Sequence, residues 1–190
     1  MAGRWHCTMT QNRLIVILVA ASLIAVLGGY AVLANGSGGV PTDNLPSGFK
    51  LLALIDESTE NVNITDYLLG FYGPEEIGKV NGTIGVYQWG PLGETYNAKV
   101  TILEAESPER AEAARRNYMN QPEWTYPPIA GMQRFGKQVV NGHDVVEIRK
   151  ITGKNRLQLI YIWTSGNRAV LVEGNDSRTS SLALASSTGL

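Results

Sequence analysis

From Leu14 to Ala34 the chain reads LIVILVAASLIAVLGGYAVLA, with no charge and Ser22 as its one clearly polar side chain. At about 1.5 Å of rise per residue, a helix of this length spans the hydrocarbon of a bilayer. The same helix inside a soluble domain would need apolar neighbours on every face, which a domain this small rarely supplies. The pattern therefore predicts a transmembrane helix over 14–34. Arg4, Arg13 and the terminal amine precede it, and the next basic residue after it is Lys50. That asymmetry puts the N-terminal segment 1–13 in the cytoplasm and everything after Ala34 on the non-cytoplasmic side. Val32-Leu33-Ala34 resembles a small-residue cleavage site, which would leave a secreted domain; the length of the apolar run favours a retained signal-anchor. Residues 35–48, NGSGGVPTDNLPSG, offer little to bury and read as a flexible tether.

Beyond the tether the hydrophobic pattern changes period. Short runs rich in β-branched and aromatic residues recur at 49–55, 83–89, 97–104, 132–140, 144–151, 156–164 and 168–173, with turn signals between them, and predict strands. In RLQLIYIWT, Leu157, Leu159, Tyr161 and Trp163 alternate with Gln158, Ile160 and Ile162, so one face is apolar and the other partly so. Such a strand belongs in the interior of a sheet. Asn141-Gly142 is a strong hairpin signal, and Ser165-Gly166-Asn167 suits a second tight connection. With Gly153 marking a further turn, the C-terminal half predicts a meander of four antiparallel strands. Two helices interrupt the pattern. Ser107-Pro108-Glu109 supplies an N-cap, a first-turn proline and an acid for a helix to about Asn120, with Ala111, Ala114 and Tyr118 on one face. The other follows Asp176-Ser177 through Leu182 and Ala185 toward Gly189. Their narrow apolar stripes suggest helices lying on one side of a sheet. Segment 59–72 is ambiguous between helix and irregular structure. The expected fold class is α+β: a transmembrane helix followed by one exported domain, 49–190, whose mostly antiparallel sheet is covered by about two helices.

Charge and cysteine usage narrow the functional classes. The chain has 17 acidic and 16 basic residues among 190, a balance without the basic excess expected of a nucleic-acid binder. Cys7 is the single cysteine and precedes the apolar segment, so no disulfide forms within the chain and a hydrophobic core must carry the stability.

Candidate chemistry is sparse. His143 stands beside Asp144 and Glu147, which invites a metal or acid/base reading, but His143 and Asp144 face opposite sides of a strand. One histidine with scattered acids supplies neither a typical zinc set nor a nucleophile. The pairs Glu75/Glu76 and Glu104/Glu106 are weak candidates for paired carboxylates, since acids at strand ends are usually solvated. Familiar nucleophile-elbow, phosphate-loop and zinc-protease patterns are missing from the sequence, and no cofactor is expected. Four Asn-x-Ser/Thr sequons, at Asn35, Asn63, Asn81 and Asn175, follow the apolar segment and fit a glycosylated surface protein. Together with disulfide independence they are compatible with an archaeal cell envelope. Tyr87, Trp89 and Tyr96 flank a Gly-Pro turn, and Trp124 and Tyr126 lie in the loop QPEWTYPP. These five aromatics suggest a groove for a partner or a glycan, or else plugs at the end of a sandwich. The expectation is a membrane-tethered, non-enzymatic domain that contacts the bilayer through 14–34 and binds or supports an envelope protein or glycan. The rival is an exported hydrolase built on His143 and nearby acids.

Overall fold

The alternation of apolar and polar residues resolves into seven strands in a computed structural model, which describes residues 39–89, 96–152 and 155–190. They are β1 (Phe49–Ile55), β2 (Val80–Trp89), β3 (Tyr96–Ala105), β4 (Phe135–Val140), β5 (His143–Ile151), β6 (Leu157–Ser165) and β7 (Arg168–Glu173). Among the described residues three helices accompany them: α1 (Ile64–Leu68), α2 (Pro108–Met119) and α3 (Arg178–Ser186). Single 3₁₀ turns cover Leu69–Phe71 and Pro122–Trp124. All strands join one sheet in the order β1-β2-β3-β7-β6-β5-β4, and every neighbouring pair is antiparallel. The architecture is therefore two meanders, β1 to β3 and β4 to β7, joined edge to edge where residues 99–104 pair with 168–173. Helix α2 carries the chain from β3 to the far edge, so that the second meander returns to the first.

Local chemistry sets the ends of these elements. Ser107 accepts the Arg110 N–H at 3.3 Å and Pro108 opens α2, while Ser177 accepts the Ser180 N–H at 3.3 Å at the start of α3. Asn63 caps α1 by accepting the Thr65 N–H, which resolves the ambiguous stretch 59–72 into a turn, a short helix and a 3₁₀ turn. Between β4 and β5, Asn141 and Gly142 adopt φ of 49° and 84°, the two positive values a type I′ hairpin needs. The four-strand C-terminal meander is present as expected. Strand β6 is interior, although the middle of the sheet is β7.

The helices cover both faces of the sheet, where the sequence suggested one. On β6, Leu159, Tyr161 and Trp163 pack with Leu184 and Ala185 of α3, whereas Ile160 and Ile162 pack on the other face with Ala111, Ala114 and Tyr118 of α2. Both faces of β6 and β7 are buried, so each needs a cover. An amphipathic stripe shows that a helix lies on a sheet; it carries no information about which face.

A second difference lies at the start of the described chain. Residues 39–48, expected to belong to a tether with nothing to bury, form a strap across the α3 face. Gly39 N–H donates to the Thr188 carbonyl at 2.8 Å, Pro41 is buried, and Val40 and Leu45 pack against the core. The buried Tyr87 hydroxyl donates to the Pro41 carbonyl at 2.7 Å, and burial pushes its phenol pKa far up. Gly85 makes the crossing possible, because a Cβ there would collide with the Val40 side chain and the Tyr87 hydroxyl. A strap fastened by two backbone acceptors and one missing side chain leaves no periodic signature. Among the described residues no helix is long and apolar enough to cross a membrane; the 14–34 segment and residues 35–38 lie outside them.

Gly85→Ala is expected to overpack this crossing and lower stability by about 1–3 kcal/mol, read as a lower urea midpoint together with faster exchange of the Gly39 amide. An unchanged midpoint and unchanged exchange would show that the strap does not depend on the close approach.

Candidate functional site

The most elaborate surface of the domain is built around the last turn of α2. Asn117, buried on that turn, donates from Nδ2 to the carbonyls of Phe71 and Glu75 at 3.0 and 2.7 Å, and its Oδ1 accepts the Glu75 N–H at 3.1 Å. Gln121 adds a bond to the Gly70 carbonyl at 2.8 Å. Segment 70–75 is thereby stitched to the helix. Beneath it, Phe71, Tyr118 and Trp124 form a buried aromatic ladder with ring centroids 5.4 and 5.9 Å apart. Trp124 satisfies its indole N–H on the Tyr118 carbonyl at 2.8 Å, and the cationic ends of Arg134 and Lys150 lie 5.5 and 5.3 Å from its ring centroid. Arg134 also donates to the carbonyls of Tyr126 and Arg149, holding the loop after Trp124 to the sheet.

On the outside of this ladder the same segments expose large apolar side chains. Leu69 is 61% exposed and Tyr72 44%, while Tyr126 is 75% and Ile129 48% exposed on the loop held by Arg134. Isolated exposed apolar residues are ordinary; these four stand close in sequence to the ladder residues Phe71 and Trp124, on two segments pinned by backbone hydrogen bonds, and make up its outer rim. The cations of these elements are already engaged: Lys150 pairs with Glu123 at 3.2 Å and Arg134 donates to backbone carbonyls. Arg116 is paired with Glu75 at 2.5 Å, a contact that holds the Glu75 carboxyl below its ordinary range.

The five aromatics singled out from the sequence do not meet in one groove. Tyr87 is buried beneath the strap, and Trp89 packs toward Phe49 with ring centroids 6.1 Å apart, both on the α3 face. Tyr96 pairs with Trp89 in the β2–β3 register. Trp124 belongs to the opposite face, and Tyr126 is exposed on the loop that follows it. Trp124 is thus a buried anchor whose loop displays its neighbours. Leu69, Tyr72 and Ile129 were missed because exposure of single apolar residues in irregular segments has no periodic signal.

The His143 trio also separates. Asp144 turns to the α2 side, where it lines a depression of about 300 Å³ with Glu112, Arg115 and Lys137. Glu147 lies on the His143 side of β5, but its carboxylate is fully buried and already engaged. It accepts Arg178 Nε and Nη2 at 2.8 and 2.9 Å, Arg149 Nε at 2.9 Å, and the Tyr161 hydroxyl and Gln138 Nε2 at 3.3 Å each. Gly136, opposite Glu147 on β4, leaves the space that the Arg149 guanidinium occupies. Burial alone would raise this carboxyl's pKa; the bonds and charges of Arg178 and Arg149 outweigh it, and the net shift is downward. The cluster fastens the first turn of α3 to β5. A signal for it was present in HDVVEIRKI, where Glu147 takes an inward position in the alternation.

The remaining acidic pairs are dispersed: Glu75 on Arg116, Glu76 exposed beside Arg110, Glu104 3.8 Å from Arg168, and Glu106 beyond the end of β3. Among the described residues no group of three or more His, Cys, Asp or Glu side chains is placed to hold a metal ion. Of the sequons, Asn63 is the exposed cap of α1, Asn81 is exposed on β2, and Asn175 is buried with its side-chain nitrogen enclosed. Asn35 lies outside the described residues. The chain matches no protein-family model, no curated protein and no solved structure.

The lowered Glu147 pKa has a definite sign for stability. A carboxyl depressed on folding contributes fully above its unfolded value, about 4.3, and that contribution is lost as pH falls through the folded value. Glu147→Gln should therefore be less stable than wild type at pH 7 by about 1–3 kcal/mol, with the gap closing as pH drops below about 4. Urea denaturation across that range checks it; a gap independent of pH would mean that packing, not charge, is what Glu147 supplies.

Proposed function

We infer that this chain is a non-enzymatic binding domain held at a membrane by residues 14–34, with its N-terminus in the cytoplasm and residues 39–190 outside. The uncharged run of about 21 residues, with basic residues before it and none after it until Lys50, supports that placement. The observation that carries the binding reading is the rim: Leu69, Tyr72, Tyr126 and Ile129 are exposed on segments that a buried aromatic ladder and a set of backbone hydrogen bonds hold still. A backbone held before binding loses little further freedom on contact, so the apolar area it carries is converted to affinity more fully. A mixture of branched aliphatic and aromatic side chains suits a protein surface of the envelope that is apolar at its centre.

The test is made on intact cells. External protease should remove a C-terminal tag from the full chain. A photo-crosslinking residue at position 126 or 129 should give a discrete adduct that the same residue at exposed Glu57 does not. In the chain labelled at position 126, Ile129→Ala should abolish that adduct without lowering the unfolding midpoint. A protected tag would overturn the placement, and equal labelling from all positions would overturn the rim; robust turnover by the domain on a hydrolase panel would overturn the non-enzymatic reading.

A further inference from the structure

At the end of the sheet where β2 begins, the structure separates the sequons from one another. Strand β1 stops at Ile55, opposite Ile84, so among the described residues 80–83 of β2 have β3 as their single sheet neighbour. Asn81 and Thr83 are two apart on that strand and point to the same face, while Gly82 between them faces Leu68 on the other. Both side chains line an open cleft of about 220 Å³, with Val40, Leu54, Ile102 and Glu104 among its walls. Asn81 is exposed, and no hydrogen bond to another described residue holds its carboxamide.

The other described sequons are committed elsewhere. Asn63 uses both ends of its amide, accepting the Thr65 N–H and donating to Asp66 at 3.2 Å. Asn175 is 2% exposed; its Oδ1 accepts the Ser177 N–H at 2.7 Å and its nitrogen is enclosed by the core. A glycan on that nitrogen would have to displace the packing of α3.

We propose that Asn81 is a glycosylation site of this protein and that the first sugars lie in the cleft beside it. This rests on the exported placement inferred above, since the acceptor must reach the compartment where glycans are transferred. In the transfer, Asn81 Nδ2 attacks the anomeric carbon of a glycosyl phosphate carried on a lipid. The carbon–nitrogen bond forms as the carbon–oxygen bond to phosphate breaks, the phosphate leaves with the electron pair, and Nδ2 releases one proton to a base of the transferring enzyme. Thr83 completes the acceptor on the same strand face. In the cleft the sugar hydroxyls meet the Glu104 carboxylate and the Arg168 guanidinium 3.8 Å from it, and their carbon faces meet Val40, Leu54 and Ile102.

The full chain with a C-terminal tag, produced in an asparagine-glycosylating host, tests this. External protease on intact cells reports the placement, and enzymatic glycan release in heavy-oxygen water followed by peptide mass spectrometry marks each asparagine that carried a glycan. The expected result is a digested tag, a mark on Asn81 and none on Asn175, with Thr83→Ala removing the Asn81 mark while leaving the unfolding midpoint unchanged. A digested tag with Asn81 unmarked overturns the proposal and leaves the exported placement standing. A protected tag with no marks overturns the placement and the proposal together, and a mark on Asn175 as strong as that on Asn81 would refute the argument from burial.

Discussion

The pairing of β3 with β7 is the contact on which the rest of this domain depends. Each meander can form from neighbours in sequence, but a three-strand and a four-strand meander are separate sheets until residues 99–104 meet 168–173. That junction has high sequence separation and places two apolar strands side by side at the middle of the sheet. Val100 and Ile102 lie with Val170 and Val172 on one face, Leu103 with Ala169 and Leu171 on the other, all buried. Once the junction exists, neither face is tolerable in water, and both must be covered. Helix α2 covers the second face by the same crossover that delivers β4 to the far edge. The first face is closed by the two ends of the described chain, the strap before β1 and α3 after β7.

Different forces attach these covers. The interior of the sheet is held by apolar area, without disulfides, whereas the peripheral pieces are positioned by a few directional polar contacts. Asn117 binds segment 70–75 to α2, Tyr87 catches the strap through the Pro41 carbonyl, and Glu147 ties α3 to β5 through Arg178. Buried polar groups of this kind cost desolvation and are worth little as bulk stabilisation. They do fix position: an apolar stripe such as that of α3, with Leu184 and Ala185 at its centre, fits any apolar face, whereas Arg178 on the Glu147 carboxylate ties its first turn to β5.

Legibility in the sequence followed the range of each interaction. Strands, turns and caps were readable because each is decided within a few residues: the alternation in 157–164, the Asn-Gly pair, and Ser107-Pro108. The adjacency of β3 and β7 was not, because nothing in either strand names its partner across about seventy residues. The choice of sheet face for α2 and α3 was likewise hidden, since an apolar stripe on a helix fits any apolar face. Glu147 shows a subtler failure. Its proximity in sequence to His143 suggested chemistry, while its true partner Arg178 lies 31 positions away on another element. The aromatics Tyr87 and Trp124 read alike, as lining of a groove or as plugs, and both prove to be anchors for irregular segments. Proline-rich loops and straps conceal burial because their contacts have no period.

The anchoring of irregular segments also explains where the exposed surface of interest lies. In a sheet this thoroughly covered, the strands themselves have little left to present, and the exposed apolar residues fall on edge strands and connections. On the edge strand β4, Val139 is exposed, but Lys137 stands beside it on the same face, the arrangement that discourages pairing with another strand. The connection around Trp124 is different. Its tryptophan is driven inward by the ladder with Tyr118 and Phe71, and a short loop that buries one large side chain must turn its neighbours outward. Thr125, Tyr126 and Ile129 are exposed for that geometric reason, and Leu69 and Tyr72 flank the buried Phe71 in the same way. Rigidity and exposure therefore arise from one cause, the inward commitment of a single aromatic per segment. That coupling distinguishes the rim from the Lys137-guarded edge, where exposure comes with a charge on the same face.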